Sequence, residues 1–199
     1  LTFKRSWNKR FTSSITGLYT DYGYDYNYGL VHFADNRPNT FGFKKSYIKE
    51  QQFKFINSYT TTKNHQLKLG FELIKYNVNY EISRNTRGAP SVPEDSLSDL
   101  RILHAAFNSS KYKNIGIDAG LRLNHYQNTG KFYFEPRLRL WYKPIDELNL
   151  HGHFGKYYQF LSQLVEIEGN NNAGIETAVW TLAGKGDDVP ILDATQVQI

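Results

Sequence analysis

The stretch Phe132-Tyr-Phe-Glu-Pro-Arg-Leu-Arg-Leu-Trp-Tyr142 decides the fold of this chain. Every second residue is apolar or aromatic, namely Phe132, Phe134, Pro136, Leu138, Leu140 and Tyr142. The residues between them are Tyr133, Glu135, Arg137, Arg139 and Trp141. Because successive side chains of a strand point to opposite faces, the alternation predicts a β-strand with one apolar and one largely ionic face.

The preceding segment, 114–124, repeats this alternation. Ile115, Ile117, Ala119, Leu121 and Leu123 form the apolar row, opposite Asp118, Arg122 and Asn124. Two architectures produce such strands. A soluble sandwich packs the apolar rows inside, whereas a membrane barrel presents them to lipid. The choice between these two architectures also decides the function.

The composition favours strands and excludes several classes of protein. The chain has 199 residues with 15 Tyr, 13 Phe and 3 Trp, and aromatic residues favour β-structure. No run of about 18 apolar residues exists, which excludes helical membrane spans but not a barrel. With 0 Cys, disulfides and thiolate metal sites are excluded. The net charge of +5 is spread along strands without a nucleic-acid motif, so we expect no nucleic-acid partner.

The pattern predicts an all-β, antiparallel transmembrane barrel segment. We expect nine strands, at about 1–7, 11–24, 40–59, 65–82, 99–109, 114–126, 132–142, 147–160 and 191–199. Short turns at 7–10, 60–64, 110–113 and 143–147 alternate with long loops at 25–39, 83–98 and 161–190, and only the short link 127–131 breaks the alternation. Short turns at one end and long loops at the other are typical of outer-membrane barrels.

Strand length points the same way. The segments 41–59 and 65–82 far exceed the roughly five or six residues usual for soluble strands. The alternation in 65–82 inverts after Ile74, which predicts that the strand leaves the bilayer there. We expect one domain over 1–199 and, because Met is absent, a piece of a longer chain.

Three motifs in order carry a family resemblance. Gly120-Leu-Arg122, then Tyr133-Phe-Glu-Pro-Arg-Leu138, then Gly155-Lys-Tyr-Tyr-Gln-Phe160 resemble the distal barrel of TonB-dependent outer-membrane receptors of the Bacteroidetes type. The resemblance implies part of a barrel of about 22 strands whose lumen is plugged. It also implies uptake of a bulky nutrient such as a siderophore, haem, cobalamin or oligosaccharide. Outer-membrane lipid, a plug domain that couples to TonB and a surface lipoprotein are the expected partners.

Two groups of residues are candidate sites. The Tyr-rich stretch with Tyr22, Tyr24, Tyr26 and Tyr28, together with Trp180, offers ring faces and hydroxyls for a ligand at the extracellular rim. The alternation predicts that Asp118, Arg122, Glu135, Arg137 and Arg139 face the lumen of such a barrel, where they pair across strands. The resemblance implies that they contact the plug.

Two other functions remain open. The tyrosines suit a soluble β-rich carbohydrate-binding module. An outer-membrane barrel hydrolase would use His151 or His153, which share a strand face that His104 could approach, with Ser109, Ser110 or Ser162. No carboxylate partner is obvious near the histidines and no cofactor motif is present. We therefore expect no metal, no cofactor and no enzymatic activity.

Overall fold

The computed structural model describes residues 1–32, 37–61, 65–84, 92–112, 114–168, 175–184 and 189–198. The strands are β1 (Thr2–Ser6), β2 (Phe11–His32), β3 (Arg37–Thr60), β4 (His65–Arg84), β5 (Val92–Tyr112), β6 (Ile115–Tyr126), β7 (Lys131–Ile145), β8 (Leu148–Gln159), β9 (Leu161–Glu168), β10 (Ile175–Leu182) and β11 (Leu192–Gln198). Within these residues no helix is long and apolar enough to cross a membrane.

Nine of these strands form one antiparallel sheet. Its order is β1-β2-β3-β4-β5-β6-β7-β8-β11, and β9 and β10 form a separate two-stranded hairpin. The nine strands of the large sheet correspond one to one with the nine predicted strands. The prediction of an all-β, antiparallel fold is therefore confirmed, and the open sheet is consistent with a segment of a barrel.

The predicted long loops are wrong in extent, because most of their residues lie in strands. β2 and β3 stay paired to His32 and Arg37, and β4 and β5 stay paired to Ile82 and Val92. The segment 161–190 contains β9 and β10. Polar residues continue these strands beyond the apolar rows, since the backbone ladder needs hydrogen bonds and not apolar side chains. We call this end of the sheet the long-hairpin end.

The opposite end carries the short turns, and local hydrogen bonds define the first of them. The Asn8 side-chain oxygen accepts hydrogen bonds from the backbone N–H groups of Arg10 and Phe11, both at 2.8 Å. This is the role in which Asn favours turns. At the long-hairpin end, the tight turn 127–130 closes with Gly130 at a φ of 63°, a conformation that favours glycine.

The two faces of the large sheet differ in polarity, and apolar side chains are exposed on one face while carboxylates are buried on the other. Leu103 is 62 % exposed and Phe132 is 68 % exposed, whereas Glu72 is 5 % exposed and Glu135 is 3 % exposed. The exposed set continues across the strands as Phe3, Ile15, Phe53, Leu67, Leu69, Phe71, Leu73, Leu121, Phe134, Leu138, Leu140, Leu150, Phe154 and Val197. We call these the apolar face and the polar face. A soluble sandwich requires the reverse burial.

The strand register aligns the apolar side chains into rows. Directly opposite residues run from Phe71 on β4 through Leu103 and Leu123 to Phe134 on β7. The inversion of polarity after Ile74 is also visible in the structure, because Lys75 is exposed while Ile74 is buried on the polar face. The apolar face is thus a band that ends before the long hairpins do.

The β9–β10 hairpin covers the polar face near the long-hairpin end. β10 packs against β3, β4 and β5. Leu182 is fully buried in a cluster with Ile48 and Val78, and Phe160 joins a second cluster with Ile74, Leu100, Ile102 and Tyr126. The predicted long loop over 161–190 is therefore wrong for the residues in β9 and β10, which form a hairpin that packs on the sheet through β10.

Aromatic rings cover three glycines of the large sheet from the neighbouring strand. Gly23 lies opposite Tyr47, Gly70 opposite His104 and Gly116 opposite Trp141. A Cβ atom on Gly70 would lie 2.5 Å from the His104 ring nitrogen and 2.5 Å from the Phe55 carbonyl oxygen. Glycine is therefore required at Gly70 by close approach of both ring and backbone.

Candidate functional site: an ionic cluster on the polar face

The candidate site is a cluster of ionic side chains on the polar face, on the short-turn side of the β9–β10 hairpin. Strand register builds it from two adjacent rows. One row runs through Lys54, Glu72 and Asn124, and the next runs through His104, Arg122 and Glu135. Opposite residues of an antiparallel pair lie close on the same face, so residues far apart in sequence meet here.

Glu72 is the buried centre of this cluster. Its carboxylate accepts a hydrogen bond from the Gln52 side-chain amide. The Lys54 Nζ lies 3.6 Å from Oε2, and an Arg122 terminal nitrogen lies 4.0 Å from Oε1. Arg122 is held in turn by donating from Nε to the Asn124 Oδ1 at 3.1 Å. Two cations and one amide thus compensate a carboxylate that would be costly to bury alone.

Glu135 has a different set of partners. One oxygen accepts the backbone N–H of Tyr158 at 3.0 Å, and the other accepts a hydrogen bond from Arg137 at 3.1 Å. The Arg137 guanidinium lies 4.9 Å from the centre of the Tyr157 ring. The backbone bond matters structurally, because pairing of β7 with β8 ends at Arg137 and Gly155. Glu135 therefore satisfies a backbone donor where the ladder stops.

Asp118 and Arg139 form a direct cross-strand pair nearer the short-turn end. Arg139 donates from Nε to an Asp118 oxygen at 2.7 Å, and Asn108 donates to the same carboxylate. A groove of about 510 Å³ opens beside this pair, with Lys68, Arg137 and His153 among its polar lining residues. Its Lys and Arg side chains outnumber its acidic one, so it can bind polar or anionic groups.

All five side chains predicted to face the lumen lie on the polar face. The predicted pairing across strands is found for Asp118 with Arg139, while Glu135 pairs with Arg137 on its own strand. Sequence reasoning did not include Glu72, Lys54 and Gln52 in the site. Glu72 is recognisable as the acidic residue within the alternating stretch 66–74, but its partners depend on a cross-strand register that the sequence does not show.

The histidines named as candidates lie on different strands of the large sheet. His151 and His153 lie on β8 opposite Trp141 and Arg139, while His104 lies on β5, with β6 and β7 between them, so the structure does not bring His104 to the other two. Among the described residues, no three His, Cys, Asp or Glu side chains could hold a metal ion together.

A serine does contact a histidine elsewhere, with Ser109 Oγ 2.8 Å from the His65 Nδ1. That pair lies on the apolar face, where the His65 ring stacks on Phe107.

The predicted rim residues lie in strands, Tyr22 and Tyr24 within the predicted strand 11–24, and Tyr26, Tyr28 and Trp180 where loops were predicted. Tyr22 is exposed and Tyr24 is half-buried on β2, and burial, reinforced by neighbouring Tyr22, raises the pKa of the Tyr24 phenol. The side chains of Tyr26 and Tyr28 lie outside the described residues. Trp180 lies on β10, and its backbone N–H donates to the Ser46 Oγ at 3.3 Å. Ser46 is directly opposite Tyr24 in the strand register. Trp180 and Tyr24 are therefore both neighbours of Ser46.

Comparison with known proteins shows the fold alone. No protein-family model matches the chain, and no curated protein matches it. The fold is similar to that of a chain in the structure of the RagAB peptide transporter, with a TM-score of 0.51 and 13 % sequence identity. The similarity covers 98 % of this chain and 26 % of that chain, so this chain spans about a quarter of the transporter chain.

Proposed function

We propose that this chain forms part of the barrel wall of a TonB-dependent outer-membrane transporter that imports a bulky nutrient. The apolar face would contact lipid and the polar face would line the interior. The cargo belongs to the siderophore, haem, cobalamin, oligosaccharide or peptide class, and import requires no covalent chemistry. The peptide class is included because the structurally similar chain belongs to a peptide transporter.

One observation carries this proposal, namely the exposed apolar side chains opposite buried carboxylates on a single sheet. Soluble monomers rarely expose contiguous apolar patches larger than a few hundred square ångströms. Here the exposed apolar residues extend over β1 to β8 and β11. Lipid is the environment in which such a surface is stable, and a paired, water-accessible interior is the environment that suits Glu72 and Glu135.

The dimensions of the apolar face support the same orientation. The alternating stretch 132–142 is about 36 Å long at roughly 3.3 Å per residue. A strand tilted by about 45° would then span about 25 Å, the height of the lipid-facing band of outer-membrane barrels. Above this band, Lys49 and Asp21 form an ion pair at 3.5 Å on the same face, as expected where the strands enter water.

The ionic cluster supplies the interior surface on which import depends. Arg122, Arg137 and Arg139 share the face with Asp118 and Glu135 and would seat the plug domain by polar contacts. TonB would act on the wall only through that plug. A surface lipoprotein would approach the long-hairpin end, where Tyr22 and Tyr24 would meet cargo or partner.

Cysteine scanning tests the orientation, because this chain contains 0 Cys. Single cysteines at Leu121, Arg122 and Leu123 are introduced into the complete protein in a cysteine-free background and treated in intact outer membranes with a water-soluble maleimide. We expect labelling of Arg122→Cys and protection of Leu121→Cys and Leu123→Cys. Equal labelling of all three would overturn the proposed orientation.

Uptake measurements test the transport step separately. Cells lacking the complete protein should lose uptake of one cargo class, and deletion of TonB or addition of an uncoupler should cause the same loss. Restoration by the complete protein is the control. Uptake that persists without TonB would exclude the proposed energy coupling while leaving the membrane orientation intact.

A further inference from the structure

The apolar face carries a groove that the proposed function does not use. Two adjoining depressions of about 460 Å³ and 340 Å³ share Leu103 and Leu123. Ala105 lies between Leu69 and Leu121 in the strand register, and its small side chain leaves the floor low. Together the depressions follow β5 toward the short-turn end, between raised side chains on β4 and β6.

The end of the groove nearest the long hairpins is polar. Arg101 and His125 are directly opposite each other, in a row that continues to Leu73 and Phe132. The Arg101 side chain is 62 % exposed, and its terminal nitrogen lies 4.0 Å from the Asp99 carboxylate, beyond hydrogen-bond distance. The His125 ring is fixed against Phe132, with ring centres 4.8 Å apart. Arg101 thus lies within the edge of the apolar band.

We infer that this groove binds one membrane lipid with a phosphate-bearing head group, its phosphate on Arg101 and His125 and an acyl chain over Ala105. The inference rests on the proposed membrane orientation. Arg101 is only loosely paired with Asp99, at 4.0 Å, and its planar donor fork matches phosphate oxygens. Arg101 and Ala105 are about 13 Å apart along the strand at roughly 3.3 Å per residue, a length that an acyl chain readily covers.

Charge complementarity selects a lipid over another protein as the occupant. The groove places Arg101 and His125 at one end, and apart from His104 the side chains along the rest are apolar. This distribution complements a lipid with an anionic head group and apolar chains. Bulk lipid covers any apolar surface without preference, so selectivity should come from the Arg101 end. The depression over Ala105 should slow the dissociation of the bound lipid.

Native mass spectrometry of the complete protein tests this inference. The protein is taken from nanodiscs of phosphatidylcholine that contain a minor share of phosphatidylglycerol, and the lipids that it retains are identified. We expect one phosphatidylglycerol to be retained in preference to phosphatidylcholine. Arg101→Ala should weaken this retention about tenfold, the effect of losing one charge-assisted hydrogen bond. Ala105→Trp, which fills the floor and keeps the charge, should also weaken it.

Arg5→Ala is the matched control. Arg5 lies on the same face as Phe3 by register, but far from the groove and over the Trp7 ring at 4.2 Å. Its removal should leave phosphatidylglycerol retention unchanged. Equal losses in Arg5→Ala and Arg101→Ala, or no loss in Ala105→Trp, would overturn the inference. Displacement of the lipid by inorganic phosphate alone would reduce the feature to an anion site and also overturn it.

Failure of the inference is distinguishable from failure of the proposed function. A protein that does not insert into nanodiscs at all contradicts the membrane orientation itself. A protein that inserts but shows no preference for phosphatidylglycerol contradicts only the lipid site.

Discussion

Glu135→Ala and Glu135→Gln should destabilise the protein by different amounts, because the two Glu135 oxygens have different partners. Alanine leaves the Tyr158 N–H without its acceptor and releases Arg137. Loss of a hydrogen bond to a charged group costs about 1.5–3 kcal/mol, so we expect a total loss of about 2–4 kcal/mol. Glutamine can still accept from Tyr158 and loses only the ion pair. The Arg137 side chain is 43 % exposed, and such pairs contribute about 0–1 kcal/mol.

The free energy of unfolding in denaturant measures this difference. The complete protein in detergent is unfolded with guanidinium chloride, and the loss of tertiary structure is followed by tryptophan fluorescence. Arg137→Ala is the matched control, and it should cost about 1 kcal/mol or less, because it keeps the backbone hydrogen bond. If glutamine costs as much as alanine, the Tyr158 N–H is not what holds Glu135, and the argument for this residue fails.

Three further substitutions test the packing. Leu182→Ala should lower the free energy that holds the β9–β10 hairpin on the sheet by about 2–5 kcal/mol, because it leaves a cavity at a fully buried position. Amide hydrogen exchange should become faster in β10 alone, and unchanged exchange would refute the packing of the hairpin. Gly70→Ala should lower the free energy of unfolding by about 1–3 kcal/mol, since the backbone carbonyl of Phe55 cannot move away from the new Cβ. The melting temperature should fall, and an unchanged melting temperature would contradict this. Tyr126→Phe removes the hydroxyl that donates to the Phe160 carbonyl at 3.3 Å, and denaturant unfolding should show a loss of about 1 kcal/mol, whereas a stabilised variant would contradict it.

The central strands could be predicted from the sequence almost to the residue. The predicted strand 114–126 is β6 (Ile115–Tyr126), and the predicted strand 132–142 lies inside β7 (Lys131–Ile145). Both have one face of apolar side chains, so a period of two is visible along their whole length. The same two-residue alternation predicted which side chains share the polar face, and all five predicted ionic residues lie there in the structure.

The ends of the strands were mispredicted where the strands continue beyond the alternating apolar residues. β5 begins at Val92 rather than near residue 99, because polar strand residues resemble loop residues in composition. The β9–β10 hairpin was missed for a related reason. Gly169-Asn-Asn-Asn172 indicates a loop, and the two strands beside it were assigned to that loop. The contact of Leu182 with Ile48 depends on packing across more than a hundred residues of sequence, which no local pattern encodes.

The central claim is that the apolar face meets lipid, and depth-dependent quenching tests it most directly. Leu140 and Arg139 are neighbours on β7 that point to opposite faces. Each is replaced by tryptophan in the complete protein, with the native tryptophans changed to phenylalanine, and the protein is reconstituted in vesicles with brominated acyl chains. The account predicts strong quenching of Leu140→Trp and little quenching of Arg139→Trp. Equal quenching, or stronger quenching of Arg139→Trp, would contradict it.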